Sequence, residues 1–303
     1  MRPPWPALAA LAVFVWGLGA NGQQVFRSGV DITSFAATVT DKKGNIVPGL
    51  TRDDFEILED GKKQAVEFFA HGDGDAALAM HLGLMVDASG SMQSDMKLAQ
   101  TAAIKFLNRL PAAEDITLVD FDTEVRITRY PQRDFARLVE RIRQRKADGW
   151  TALYDALGTY LDGADSQNGR TVLVMYTDGG DSRSVLSFTE TMTLLKASNI
   201  TVYAIGLVEH TGAARGEMQL TLRQLAEATG GQAFFPMSMR EVDSAYDKVL
   251  AEINGQYHLG YQPANAVKDG AWRKVEIRVN KPDVRVRSRK GYFALLQPVA
   301  PKL

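Results

Sequence analysis

The chain has 303 residues, more than most single domains, and 45% of them are apolar, enough for a substantial core. Its 35 lysines and arginines are matched by 36 aspartates and glutamates, so charge gives no reason to expect nucleic acid as a partner. The absence of cysteine excludes disulfides, thiolate catalysis and zinc-thiolate centres.

At the amino end, Arg2 precedes an apolar stretch, Ala7 to Trp16, that is too short to span a bilayer comfortably, and small residues follow up to Gly22. This predicts a signal peptide over 1–22 with cleavage near Gln23, an uncleaved anchor being the alternative. Either places the folded part outside the cytoplasm, secreted or periplasmic, and after cleavage no membrane span is expected. From Val25 to about Phe69 the pattern is one of short strands and turns. Phe35 to Thr40 alternates weakly, Asp41-Lys-Lys-Gly-Asn is a turn signal, and Phe55 to Lys62 repeats strand then turn. This amino-terminal half, residues 23–75, buries too little to be stable alone. His71-Gly-Asp-Gly-Asp-Ala then predicts a linker.

Over residues 76–255 apolar strands alternate with helices. Leu82 to Asp87 is an unbroken apolar run ending in an acid, as expected of a central parallel strand covered on both faces. Met92 to Leu110 has helical spacing, and Ile116 to Asp122 is a strand followed by a candidate edge strand at Val125 to Tyr130. Phe135 to Arg145 and Leu153 to Asp162 are helical, and Thr171 to Asp178 repeats the design of an apolar strand ending in an acid. The alternation continues to a last helix at Val242 to Ile253. It predicts right-handed βαβ crossovers around a doubly wound, mainly parallel sheet.

From Tyr257 the pattern returns to period two, in Tyr257 to Tyr261, Val275 to Val279 and Val284 to Arg289. Residues 256–303 therefore complete, with 23–75, a small β-sandwich into which the α/β domain is inserted. The tail from Lys268 to Lys290 holds nine basic residues against three acids, in an alternation expected of a strand with one solvated face.

The chemistry concentrates in three loops. Asp87-x-Ser89-x-Ser91 places three hard oxygen donors on one turn, Asp178 ends another strand, and Gly149-Trp-Thr151 opens a helix. In a parallel sheet such loops share one rim, where ligands sit. Asp87, Ser89, Ser91, Thr151 and Asp178 are thus candidate ligands for a divalent cation, Mg²⁺ first, with Mn²⁺ or Ca²⁺ as alternatives. Two carboxylates and three hydroxyls leave such an ion open to an outside anionic oxygen.

Asp87-Ala-Ser-Gly-Ser-Met, Thr151-Ala-Leu-Tyr-Asp and Thr177-Asp-Gly, in this order, resemble the signature loops of the von Willebrand factor type A domain and its metal-ion-dependent adhesion site. The flanks, in Thr40-Asp-Lys-Lys-Gly-Asn, Gly49-Leu-Thr-Arg-Asp-Asp-Phe-Glu, Thr177-Asp-Gly-Gly-Asp-Ser, Tyr257-His-Leu-Gly-Tyr and Arg289-Lys-Gly-Tyr, resemble secreted bacterial VWFA-related domain proteins. The resemblance implies that Ser89, Ser91 and Thr151 bind the ion directly, and Asp87 and Asp178 directly or through water. It also implies a last helix whose movement is tied to ligand binding.

The expected function is a metal-dependent protein-binding or adhesion module whose protein partner offers an Asp or Glu side chain, with no catalytic residues. The alternative is a metal-assisted hydrolase at the same site, which would need a general base. Around the site several residues keep two readings. Asp120 and Asp122 are a turn-forming pair or added carboxylates, Asp181 and Ser182 a solvated loop or contacts to a ligand or to the residues that hold it, and Trp150 a core plug or a contact anchor. Asp155, one helical turn after Thr151, is placed to bond nearby loop groups. His71, His81, His210 and His258 lack zinc-hydrolase spacing and are expected at the surface or rim.

Overall fold

The computed structural model describes residues 32–71, 78–110, 113–164 and 169–294. The expected signal peptide and most of the linker after His71 lie outside the described residues. No helix among the described residues is long and apolar enough to cross a membrane.

The described chain begins in β structure, with β1 (Thr33–Asp41), β2 (Phe55–Glu59), β3 (Lys62–Gln64) and β4 (Phe68–His71). After β1 the Asp41 carboxylate accepts the amides of Lys43 and Asn45 at 2.8 and 2.9 Å, closing the turn its sequence announces. The α/β part follows as β5 (Met80–Asp87), α1 (Met96–Arg109), β6 (Asp115–Phe121), β7 (Val125–Pro131), α2 (Phe135–Gln144), α3 (Leu153–Ala164) and β8 (Arg170–Thr177). It continues through α4 (Phe188–Ala197), β9 (Ile200–Gly206), α5 (Arg215–Ala228), β10 (Gln232–Phe234) and α6 (Met239–Gly255). The chain then returns to β structure in β11 (Tyr257–Tyr261), β12 (Trp272–Val279), β13 (Val284–Arg287) and β14 (Gly291–Phe293), the last too short to show a period-two pattern.

The central sheet has the order β10-β9-β8-β5-β6-β7 and is parallel except for the edge strand β7. Because successive side chains leave a strand on opposite faces, each apolar run feeds two cores. Leu82, Leu84 and Val86 of β5 join Val172, Val174 and Tyr176 of β8 in a cluster roofed by α1, α2 and α6. Met85, Leu173 and Met175 join the opposite cluster under α3, α4 and α5. That is why these runs are apolar throughout rather than alternating. Gly83 occupies the position where Tyr160 of α3 comes closest: a Cβ there would lie 2.4 Å from the Tyr160 ring.

The remaining strands form two antiparallel sheets, β13-β1-β11-β4 and β14-β12-β2-β3, each built from both ends of the chain. Phe35 faces Leu259 across β1 and β11, and Ile57 faces Ile277 across β2 and β12. All four belong to one buried cluster that neither end supplies alone.

Lys274, Arg278 and Lys290 of the basic tail are exposed as expected, but two arginines near its end depart from the solvated face. Arg285 is exposed, but Arg287 turns inward, donating to the Gly230 carbonyl and the Gln232 side chain at 2.8 Å each and pairing with Glu252 of α6. Arg289 is buried, donates to the carbonyls of Ser198 and Ser34 at 3.1 and 2.8 Å, and stacks over the Phe35 ring. Both hold the β sheets against the α/β part. The alternation reflects a seam that needs long side chains with several donors, a property period-two spacing shares with a wet face.

Candidate functional site

Parallel pairing sets the site. Val86 lies opposite Tyr176, so the ends of β5 and β8 deliver Asp87 and Thr177-Asp178 to one edge of the sheet. The Asp87 carboxylate accepts the Thr177 hydroxyl at 2.6 Å on one oxygen and the Ser89 amide at 2.9 Å on the other. Ser89 is the residue before a 3-10 turn over Gly90–Gln93, and that turn brings the Ser89 and Ser91 hydroxyl oxygens to 3.1 Å from each other. Asp178 Oδ1 accepts the Gly180 amide at 2.8 Å. Asp87, Ser89 and Asp178 are buried, and Ser91 is exposed.

The loop that carries Thr151 is fastened on both sides. Toward the first loop, the Asp148 amide donates to the Ala88 carbonyl and the Gly90 amide to the Gly149 carbonyl, each at 2.9 Å. Toward the third loop, the Thr151 amide donates to Ser182 Oγ at 3.0 Å, and its carbonyl accepts the Ser182 and Arg183 amides at 2.9 and 3.0 Å. Gly149 makes this possible. It sits at φ +76°, and a Cβ there would fall 2.5 Å from Thr123 Oγ1.

The Asp87 carboxyl is raised to about 7: burial is the main cause, the like charge of Asp178 adds to it, and the hydrogen bonds from Ser89 and Thr177 oppose it. The donor types fit a divalent cation: hard oxygens from two acids and three hydroxyls. Among the described residues no three His, Cys, Asp or Glu side chains group as metal ligands. A cation at this edge would therefore depend on Ser89, Ser91 and Thr151 alongside the two acids.

Thr177, whose hydroxyl bonds Asp87 at 2.6 Å, is marked in the sequence only as part of the Thr177-Asp-Gly motif and otherwise reads as the β-branched end of a strand. Of the two readings of Asp181 and Ser182, the structure shows both in internal loop bonds: Asp181 accepts the Ser184 hydroxyl at 2.6 Å, and Ser182 holds Thr151. Asp155 accepts the Val185 and Leu186 amides, each at 2.9 Å, and so ties the third loop to α3, as its spacing from Thr151 suggested.

Asp122 closes the turn after β6, accepting the Glu124 amide at 2.8 Å, and both acids also meet arginines. Asp120 pairs with Arg141 and Arg145 at 3.0 Å each, and Asp122 with Arg126 at 3.3 Å and with Arg145. The Asp122 carbonyl accepts the Ala152 amide at 3.0 Å, so the cage abuts the Thr151 loop. Trp150 is 65% exposed and is not a core plug.

Two of the histidines differ from the surface positions expected of them. His81 is buried and lies 3.0 Å from Asp115, while His258 is buried in the β sheets and held down to about pH 4 by burial, with Arg170 and His71 adding like charge. Both lie on strands whose partners cover them, a burial that spacing alone does not reveal.

A doubly wound, mainly parallel sheet covered by helices on both faces defines an α/β domain. The sequence pattern of the von Willebrand factor type A domain matches residues 81–248, and the chain belongs to that family. In fold it is similar to a von Willebrand factor type A protein from Catenulispora acidiphila, with TM-score 0.48 and 14% identity over 89% of this chain and 74% of that one. It is also similar to the PilB minor pilin from Streptococcus sanguinis, with TM-score 0.47 and 15% identity over 60% and 62% of the two chains. A third similar structure is the vWF domain of the type V pili tip protein Mfa5 from Porphyromonas gingivalis, with TM-score 0.44 and 13% identity over 59% and 96%. No curated protein matches the sequence.

Proposed function

We propose that the protein is a divalent-cation-dependent protein-binding or adhesion module, secreted or periplasmic. In it Asp87, Ser89, Ser91, Thr151 and Asp178 hold Mg²⁺, or in its place Mn²⁺ or Ca²⁺, and a partner's Asp or Glu carboxylate completes the coordination. The observation that carries the reading is the edge itself. Asp87 and Asp178 end neighbouring strands, the Ser89 and Ser91 hydroxyls lie 3.1 Å apart, and backbone bonds pin the Thr151 loop to both.

Ser89, Ser91 and Thr151 contribute neutral oxygens, so the site carries few formal charges and favours an added anionic oxygen. Such a role needs neither nucleophile nor general base, and membership of the von Willebrand factor type A family supports binding over hydrolysis. The test is calorimetric titration of the chain with Mg²⁺. Binding is expected in the parent and lost when Ser89→Ala and Asp178→Ala are combined, whereas unchanged heats would remove these residues from the site. Capture of partners from the native cell envelope should likewise respond to chelator, and indifference to EDTA would end the binding role.

A further inference from the structure

Among the described residues, the two most exposed large apolar side chains are Val185, 92% exposed, and Trp150, 65% exposed. Both stand on the loops that border the candidate cation site. Trp150 directly precedes Thr151, and Val185 lies in the loop that follows Asp178. Single exposed apolar residues are ordinary on a protein surface. Here the two largest exposures fall on two loops that Thr151 joins through its bonds to Ser182 and Arg183, and both are displayed from a backbone that is fastened down.

The Trp150 amide donates to Thr123 Oγ1 at 2.9 Å. The Val185 amide donates to both oxygens of Asp155, at 3.1 and 2.9 Å. Asp155 belongs to α3, the helix that starts two residues after Thr151. A contact made by such residues loses little backbone freedom on binding, and a rigid aromatic beside a polar centre is the usual anchor of an interface. Arg183 is exposed on the same loop as Val185 and adds a positive charge that suits an acidic partner.

We propose that Trp150 and Val185 form an apolar contact beside the cation site, selecting protein segments whose acidic residue has a large apolar neighbour. The proposal rests on the cation-dependent binding described above and adds to it the chemistry of the partner: an exposed loop or tail with Asp or Glu next to an aromatic or branched aliphatic residue.

The experiment is panning of a displayed library of random short peptides with central Asp, Glu, Asn or Gln on the whole chain in Mg²⁺, with elution by EDTA. The expected pool keeps only central acids and is enriched in apolar residues beside them. The best peptide should bind Trp150→Ser and Val185→Ser roughly tenfold or more weakly, with the requirement for the acid intact. A pool that selects the acid without apolar neighbours overturns this proposal alone. So does a pool whose apolar preference is the same in both variants. If no acidic pool is released by EDTA, the cation-dependent reading itself fails, and this inference with it.

Discussion

Two pairs of acids end neighbouring strands of the central sheet and meet opposite surroundings. Asp120 and Asp122, in and just after β6, are buried among Arg126, Arg141 and Arg145. Asp87 and Asp178, at the ends of β5 and β8, are as deeply buried, but Asp87 is surrounded by the Ser89 amide, the Thr177 hydroxyl and its fellow acid. Burying a carboxylate costs several kcal/mol unless charge or hydrogen bonds compensate it. The first pair is compensated within the chain. The second meets amides and hydroxyls rather than arginines, and burial leaves the Asp87 carboxyl raised to about 7.

The largest effect that sharpens this contrast should come from Asp122→Ala. It strips a partner from Arg126 and from the largely buried Arg145, and is expected to lower stability by about 4 kcal/mol in urea unfolding. A loss below about 1 kcal/mol would mean that the arginines solvate themselves and the contrast is weaker than it looks.

His258 offers the same logic with the sign of charge reversed, since a buried ring beside Arg170 and His71 is held neutral. Its folded value, about 4, lies below the ordinary 6.5, so the unfolded chain takes up the proton first. Stability should therefore be level above about pH 7 and fall by up to about 3 kcal/mol as pH drops from 6.5 towards 4. Thermal unfolding across that range should flatten in His258→Gln, and an identical slope in the variant would assign the loss to other groups.

The smallest effect belongs to Asp87→Asn. In EDTA it should change stability by no more than about 1 kcal/mol, because it removes a buried charge as well as one acceptor, that of the Thr177 hydroxyl. In saturating Mg²⁺ the parent should gain about 3 kcal/mol at a hundredfold excess over Kd, and the variant should gain nothing. A large destabilisation in EDTA would make Asp87 a structural acid like Asp122.

Much of this arrangement is legible in the linear chain. Leu82 to Asp87 and Thr171 to Asp178 announce themselves as buried strands ending in acids, and Asp87-x-Ser-x-Ser names its own loop. The period-two segments at both ends, each too small for a core, point to a shared pair of sheets. The arginines are not legible in the same way. Arg287 and Arg289 carry the spacing of a wet strand face yet form a buried seam with α6 and with Ser34 and Ser198. Arg126 lies four residues after Asp122 and across the hairpin from Asp120, but Arg141 and Arg145 lie at the end of α2, and nothing local ties them to the two acids. Trp150 could be read as plug or anchor until its exposure excluded the plug.

The sequence by itself determined the alternation of strands and helices, the parallel sheet, the three loops and the weaving of both chain ends into the outer sheets. These follow from hydrophobic period and turn chemistry, which act over a few residues. Only the tertiary structure decided which acids meet arginines, which histidines are buried and which aromatic faces solvent. Those outcomes depend on residues brought together by crossovers and sheet order, and charge pairing at that range leaves no mark on neighbouring positions.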